Sequence, residues 1–147
     1  TGNRVVCVDI SEAALAVARG NARCMGVGER TRFVCSDLFA ALGDGARFAM
    51  ILSNPPYVAD EEWDGLMTDV RDFEPPRALK GGAEGLEVYR RIAAELPRRL
   101  TPGGWVLLEV GSAAQARVVG ALLEGAGLTV SVKKDYSGRE RVLAGHG

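Results

Sequence analysis

Asn54-Pro55-Pro56-Tyr57 is the segment whose residue types point most directly to chemistry. A carboxamide such as that of Asn54 offers an acceptor and two donors, enough to grip a planar NH2 group in both directions. Two successive prolines carry no N–H and keep φ near about -65°, so the Pro55 carbonyl can face a site as an acceptor without a competing donor. Tyr57 adds a flat face for stacking. The same residues also suit a strand break followed by a turn. Position in the chain separates the two readings. Phe48 to Ser53 is an apolar strand that ends directly before Asn54, and in open α/β sheets ligands gather beyond the carboxyl ends of strands.

The elements that must hold this segment alternate. Arg4 to Val8 is a short β-branched run ending in Asp9, which reads as a strand buried on both faces. Ser11 can cap a helix in which Leu15, Ala18, Ala22 and Met25 recur at helical spacing until Gly26 and Gly28. Thr31 to Cys35 is a second strand. Residues 58–85 hold acidic groups, Pro75-Pro76 and Gly81-Gly82 without a sustained period, and predict a long functional loop. Leu86, Tyr89, Ile92, Ala93, Leu96 and Leu100 mark a helix that Pro97 should bend or end. Pro102-Gly103-Gly104 turns the chain into a strand from Trp105 to Val110. A helix through Val118, Val119, Leu122 and Leu123 and two strands, roughly 128–134 and 140–144, complete the chain. The pattern predicts a single, partial α/β domain over 1–147, with a mostly parallel sheet and a C-terminal antiparallel hairpin.

Composition removes several classes of function. The 147 residues are 47% hydrophobic and 25% charged, which excludes a disordered or collagen-like chain. No apolar run approaches the ~18 residues of a membrane helix, and the first residues do not resemble a signal peptide, so a cytoplasmic protein is predicted. Cys7, Cys24 and Cys35 are widely spaced and His146 is the only histidine. That leaves no disulfide framework, no zinc cluster and no Ser-His-Asp or Cys-His catalysis. A net charge of -1 provides no general attraction to nucleic acid. Arg139 and Arg141 read as a solvated strand face or as ligands for a phosphate or carboxylate, and Asp60-Glu61-Glu62 as surface. Glu109 suits either a turn at the strand end or a part in ordering the site.

Asn-Pro-Pro-Tyr after a strand resembles the signature of S-adenosylmethionine-dependent methyltransferases that modify nitrogen conjugated to a planar system, an adenine amine or a glutamine amide. Glu74-Pro75, Ala78-Leu79, Gly81-Gly82, Gly85-Leu86, Tyr89-Arg90 and the tail from Asp135 to Val142 resemble the protein-(glutamine) methyltransferases that act on peptide chain release factors. The similarity runs over essentially the whole chain. It implies a Rossmann-like class I methyltransferase sheet, S-adenosylmethionine as cofactor and a release factor as protein substrate. Asn54, Pro55, Pro56 and Tyr57 would form the catalytic segment, with Asn54 also at the cofactor. Asp9 matches the acidic residue that accepts from the ribose hydroxyls, although a carboxylate at that place also suits the helix dipole. Ser36-Asp37-Leu38-Phe39 matches the adenine-contacting segment, with Asp37 accepting from the adenine amine and Leu38 packing on the ring. Some members carry an aromatic residue where this chain has Leu38; Phe39 reads as core.

The family's glycine-rich Asp-x-Gly-x-Gly-x-Gly loop has no counterpart between Thr1 and Gly147. The family order therefore predicts a chain that opens just before the second strand, lacking the first strand and its loop and inactive alone. Two other functions compete with glutamine methylation. One is methylation of an adenine amine in nucleic acid; the other is a noncatalytic fragment or module that binds a protein partner.

Overall fold

A computed structural model describes residues 2–147, apart from the side chains of Val70 and Asp72. The chain forms two compact units, the first ending at Ala46 and the second running from Arg47 to Gly147.

In the first unit, β1 (Val5–Asp9) and β2 (Thr31–Cys35) pair in parallel, Val5 opposite Thr31 and Asp9 opposite Cys35. Between them runs α1 (Glu12–Cys24). Ser11 starts this helix as predicted, its hydroxyl accepting from the Ala14 N–H at 3.2 Å and satisfying one of the donors a first turn leaves open. Leu15 and Ala22 are buried, but Met25 lies beyond the helix and is 76% exposed. The strand expected to be buried on both faces is not: Val5 is 51% exposed and no β1 residue is fully buried. Among the described residues β1 has only β2 as a ladder partner, so less surface covers it than a central strand would have.

The second unit carries the order β3-β4-β6-β5. β3 (Phe48–Ser53) runs parallel to β4 (Leu100–Glu109), while β6 (Glu140–His146) is antiparallel to both β4 and β5 (Thr129–Lys134). The expected hairpin therefore reverses one strand only. β4 starts at Leu100, five residues before the expected Trp105. Phe48 faces Leu100 and Met50 faces Trp105, so Pro102-Gly103-Gly104 lies in an irregularity within the strand rather than before it.

Residues 58–85 are not the structureless loop their lack of period suggests. A 3-10 turn (Asp60–Gly65) and two short helices, α2 (Thr68–Phe73) and α3 (Pro76–Leu79), fill the stretch. These are too short to display a helical repeat. Its ends are drawn together where Val58 bridges Lys80: the Val58 N–H donates to the Leu79 carbonyl at 2.9 Å, and the Gly81 N–H to the Val58 carbonyl at 2.9 Å.

α4 (Glu87–Arg99) buries Tyr89, Ile92, Ala93 and Leu96, the face read from the sequence. Pro97 does not end it; the helix runs on to Arg99, and the Leu100 N–H still reaches the Leu96 carbonyl. Pro97 removes one bond near the C-terminus, and burial of the apolar face, worth roughly 1.5–3 kcal/mol per large side chain, offsets that loss. α5 (Ala113–Gly125), capped by Ser112, buries Val119 and Leu123 and packs on β5, β6 and α4. With Val106, Leu108, Val110 and Leu143 these side chains make the core under the carboxyl end of β4.

Candidate active site

Asn54 leaves the end of β3 with its side chain exposed, and the chain then dips inward: Pro55 is buried, Pro56 and Tyr57 half-buried, Val58 buried again. Four features of the second unit hold this stretch. Gly81 crosses it so closely that a Cβ there would lie 2.7 Å from the Pro56 carbonyl oxygen and 2.9 Å from Tyr57 Cα. Gly85, with φ +69°, leaves no room for a Cβ against the Tyr57 carbonyl oxygen. Gly111, just past β4, lies under the Tyr57 ring, where a Cβ would come within 2.8 Å of Cδ2 and Cε2. The fourth is Gln115, in the first turn of α5, whose Nε2 donates to the Tyr57 carbonyl at 2.7 Å. Real Cβ atoms do not tolerate such approaches to backbone, so glycine is required at 81 and 85, and at 111 a Cβ would displace the Tyr57 ring.

The loop that supplies Gly81 and Gly85 has its own fastening. Glu87 folds its carboxylate back over Gly82, which has no side chain to obstruct it. The backbone N–H of Glu87 itself, with those of Ala83, Leu86 and Glu84, holds that carboxyl below the ordinary carboxylate range. An anion at the start of α4 is favoured by the open N–H groups there. Its Oε2 is buried with no hydrogen-bond partner among the described residues. Two residues on, Tyr89 is fully buried and donates to the Glu109 carbonyl at 2.6 Å. Burial, with Tyr57 and Glu109 acting in the same direction, raises its pKa above the usual tyrosine value, so it remains a donor.

Sequence-predicted residues of the first unit are held more simply. Asp9 is half-buried at the end of β1, and its Oδ1 accepts from the Ser11 N–H at 2.8 Å, an interaction expected of a carboxylate before a helix. Its carbonyl accepts from Ser36 N–H at 2.9 Å. Ser36 is buried and its hydroxyl accepts from the Ala41 N–H at 2.8 Å, closing a turn that presents Asp37 exposed and Leu38 half-buried. Leu38 has φ +49°, the one non-glycine residue with positive φ among those described. That conformation costs of order 1–3 kcal/mol and tends to occur where a loop is shaped for a site.

Elsewhere, Asp60, Glu61 and Glu62 are exposed as expected, Asp60 lying 3.9 Å from Lys80. Arg141 does not extend into solvent. Its side chain donates to the Val110 carbonyl at 3.2 Å and lies 3.6 Å from Asp135, tying β6 to the chain leaving β4. The three cysteines are free thiols. Among the described residues there is no metal-ligating cluster and no helix long and apolar enough to cross a membrane. Sequence reading missed Gln115, Gly111 and Glu87. None belongs to the tetrapeptide, and Gln115 stands 58 residues from Tyr57.

Residues 1–70 match the family model described as the methyltransferase small domain. Over 140 residues, 95% of its length, the chain is 49% identical to a release factor glutamine methyltransferase of Cereibacter sphaeroides, of which it covers 49%. It thus spans about half the length of the curated relatives it matches. A solved methyltransferase from Pyrococcus furiosus aligns with 97% of this chain and 62% of its own at TM-score 0.70 and 18% identity, which establishes the methyltransferase fold. A release factor-specific protein-(glutamine-N5) methyltransferase from Alicyclobacillus acidocaldarius aligns at TM-score 0.52 and 27% identity, over 99% of this chain and 80% of its own.

Proposed function

We propose, from the premise that this chain is a homologue of about half of a release factor glutamine methyltransferase, that residues 1–147 are part of a catalytic domain that methylates the side-chain amide nitrogen of a glutamine in a release factor. The observation that carries the reading is the exposed Asn54 carboxamide at the end of β3, on a backbone pinned at Pro56 and Tyr57.

S-adenosylmethionine fits the chemistry of the candidate residues. Asp9 spends Oδ1 on the Ser11 N–H and leaves Oδ2 for a ribose hydroxyl. Asp37 and Leu38, on a turn shaped by a left-handed residue, supply an acceptor and an apolar surface for adenine. When bound, the cofactor supplies a methyl group on a positively charged sulfur.

An amide nitrogen is a poor nucleophile because its lone pair is shared with the carbonyl, the conjugation that makes peptide rotation cost ~18–20 kcal/mol. Orientation compensates. The Asn54 Oδ1 and the Pro55 carbonyl would accept the two N–H bonds of the substrate amide, fixing the orientation of its nitrogen and stabilising positive charge as it develops. With both N–H bonds held by Asn54 and Pro55, the nitrogen lone pair would be free to take the methyl group that the bound cofactor would supply, the bonding electrons remaining with its sulfur. The nitrogen then releases a proton to water, so no dedicated general base is needed.

Asn54→Ala in the natural protein that carries this chain should lower methyl transfer by about a hundredfold, the effect of losing one preorganised hydrogen-bonding group. Folding should persist because the side chain is exposed. Near-normal turnover on a release factor would refute the assignment.

A further inference from the structure

We infer that Gln115 is a positioning residue for methyl transfer, acting through the backbone of Tyr57 without touching either reactant; the inference rests on the proposed roles of Asn54 and Pro55. Its amide joins three separate stretches of chain. Nε2 donates to the Tyr57 carbonyl at 2.7 Å and to the Gly85 carbonyl at 3.4 Å, while Oε1 accepts from the Gly111 N–H at 3.0 Å. Two carbonyls require a donor and one N–H requires an acceptor, so the amide can serve all three in only one orientation. The Ser112 hydroxyl, accepting from the Gln115 N–H at 3.2 Å, fixes the start of the helix from which the side chain extends.

This matters at Asn54 because little else in the tetrapeptide can move. β3 holds its beginning, and the prolines at 55 and 56 fix their own φ. The Val58 bridge to Lys80 holds the chain beyond Tyr57. Tyr57 is the remaining joint between two fixed ends. A rotation there would pass back through Pro56 to the Pro55 carbonyl and the Asn54 side chain. Gln115 closes that joint, and the same amide also holds Gly85 and Gly111, two of the three glycines that approach this stretch closely.

The test uses Gln115→Met, which keeps the side-chain length and removes the hydrogen bonds, and Gln115→Glu, in the natural protein. Gln115→Met should lower kcat about 10- to 100-fold, the scale of a small misplacement of reacting groups. KM for the release factor, cofactor affinity and Tm should stay close to wild type, since Gln115 touches neither reactant and is only partly buried. An unchanged kcat, or a loss that appears only in KM or only in proportion to lost fold, overturns the inference. Gln115→Glu decides independently, even where the methionine variant fails to fold. An ionised carboxylate repels the Tyr57 carbonyl, but a protonated one donates to it and still accepts from Gly111. Its kcat relative to wild type should therefore rise several-fold as pH falls from 7 to 5, toward the ordinary glutamate pKa of about 4.3; a flat ratio overturns the proposal. Asn54→Ala run alongside separates the two ideas. Retained turnover there defeats the role of Asn54 on which this inference rests, and failure of the wild-type protein to methylate a release factor defeats the glutamine-methylation reading, whereas loss in Asn54→Ala combined with full activity in both Gln115 variants defeats only the role of Gln115.

Discussion

Asn54–Tyr57 and the group formed by Asp9, Asp37 and Leu38 are secured by different means. Around Tyr57 the partners are Gly81, Gly85, Gly111 and Gln115, which the fold of residues 47–147 must gather from two distant stretches of sequence. Asp9 is held by an N–H two residues along and by pairing with β2, and the turn at Leu38 by a serine hydroxyl that reaches five residues along the chain. Cores differ in the same sense. Among the described residues ten large side chains are fully buried, and of these only Leu15 lies in the first unit. The comparison teaches that Asn54–Tyr57 is held rigid by interlocked tertiary contacts, whereas Asp9 and the turn at Leu38 are shaped by local hydrogen bonds and strand pairing.

Two glycines with nearly equal positive φ put that contrast to its hardest trial. Gly85→Ala adds left-handed strain and drives a methyl group into the Tyr57 carbonyl, so it should cost about 3 kcal/mol and disturb the tetrapeptide. Gly26→Ala, at φ +66° with nothing within 4 Å, bears the strain alone and should cost about 1.5 kcal/mol. Denaturant unfolding gives the totals, and amide exchange at Tyr57 and Val58 shows which change reaches the site. Equal costs would mean that the close approach at Tyr57 is not tight.

Ser11→Ala should be milder, about 1 kcal/mol, the value of one helix cap. Exchange should quicken in the first turn of α1 and remain unchanged around Asn54–Tyr57. Protection lost at Tyr57 would erase the distinction between the regions.

Acid should produce the smallest effect, and on one side of the comparison. Glu87, held by its own N–H and those of neighbouring residues, Glu95, held first by Arg98 and then Arg99, and Asp135, held by the Arg139 and Ser137 N–H groups, all have lowered pKa values. A carboxyl whose folded pKa is depressed contributes stability present above its unfolded value, 4.5 for the glutamates and 3.8 for the aspartate, and lost as pH falls through the folded value. Thermal unfolding of the second unit should be flat from pH 7 to 5 and decline below about pH 4.5. Glu87→Gln should remove part of that decline, measured as the change in Tm between pH 5 and 3.

Much of this arrangement is legible directly in residue order. The strand 48–53, the Ser11 cap and the α4 face of Tyr89, Ile92 and Leu96 are local patterns, and each occurs in the structure. The segment 58–85 escapes such patterns because helices of four and six residues are shorter than the repeat that reveals them. Pro97 misleads because its penalty is local, while the burial that outweighs it is supplied by β4 and α5.

By itself the sequence determined the α/β alternation, the place of Asn54-Pro55-Pro56-Tyr57 at a strand end and the absence of a histidine or cysteine constellation, because all of these depend on residue type and short spacing. Only tertiary structure decided that Gly81, Gly85 and Gly111 converge on this stretch, that Gln115 fastens Gly85 and Gly111 to Tyr57, and that Glu87 tucks a carboxylate oxygen against the loop carrying Gly81 and Gly85. A hydrogen bond depends on where two groups lie in space, and across 58 residues that placement comes from packing the whole sheet and its helices, which no local spacing records.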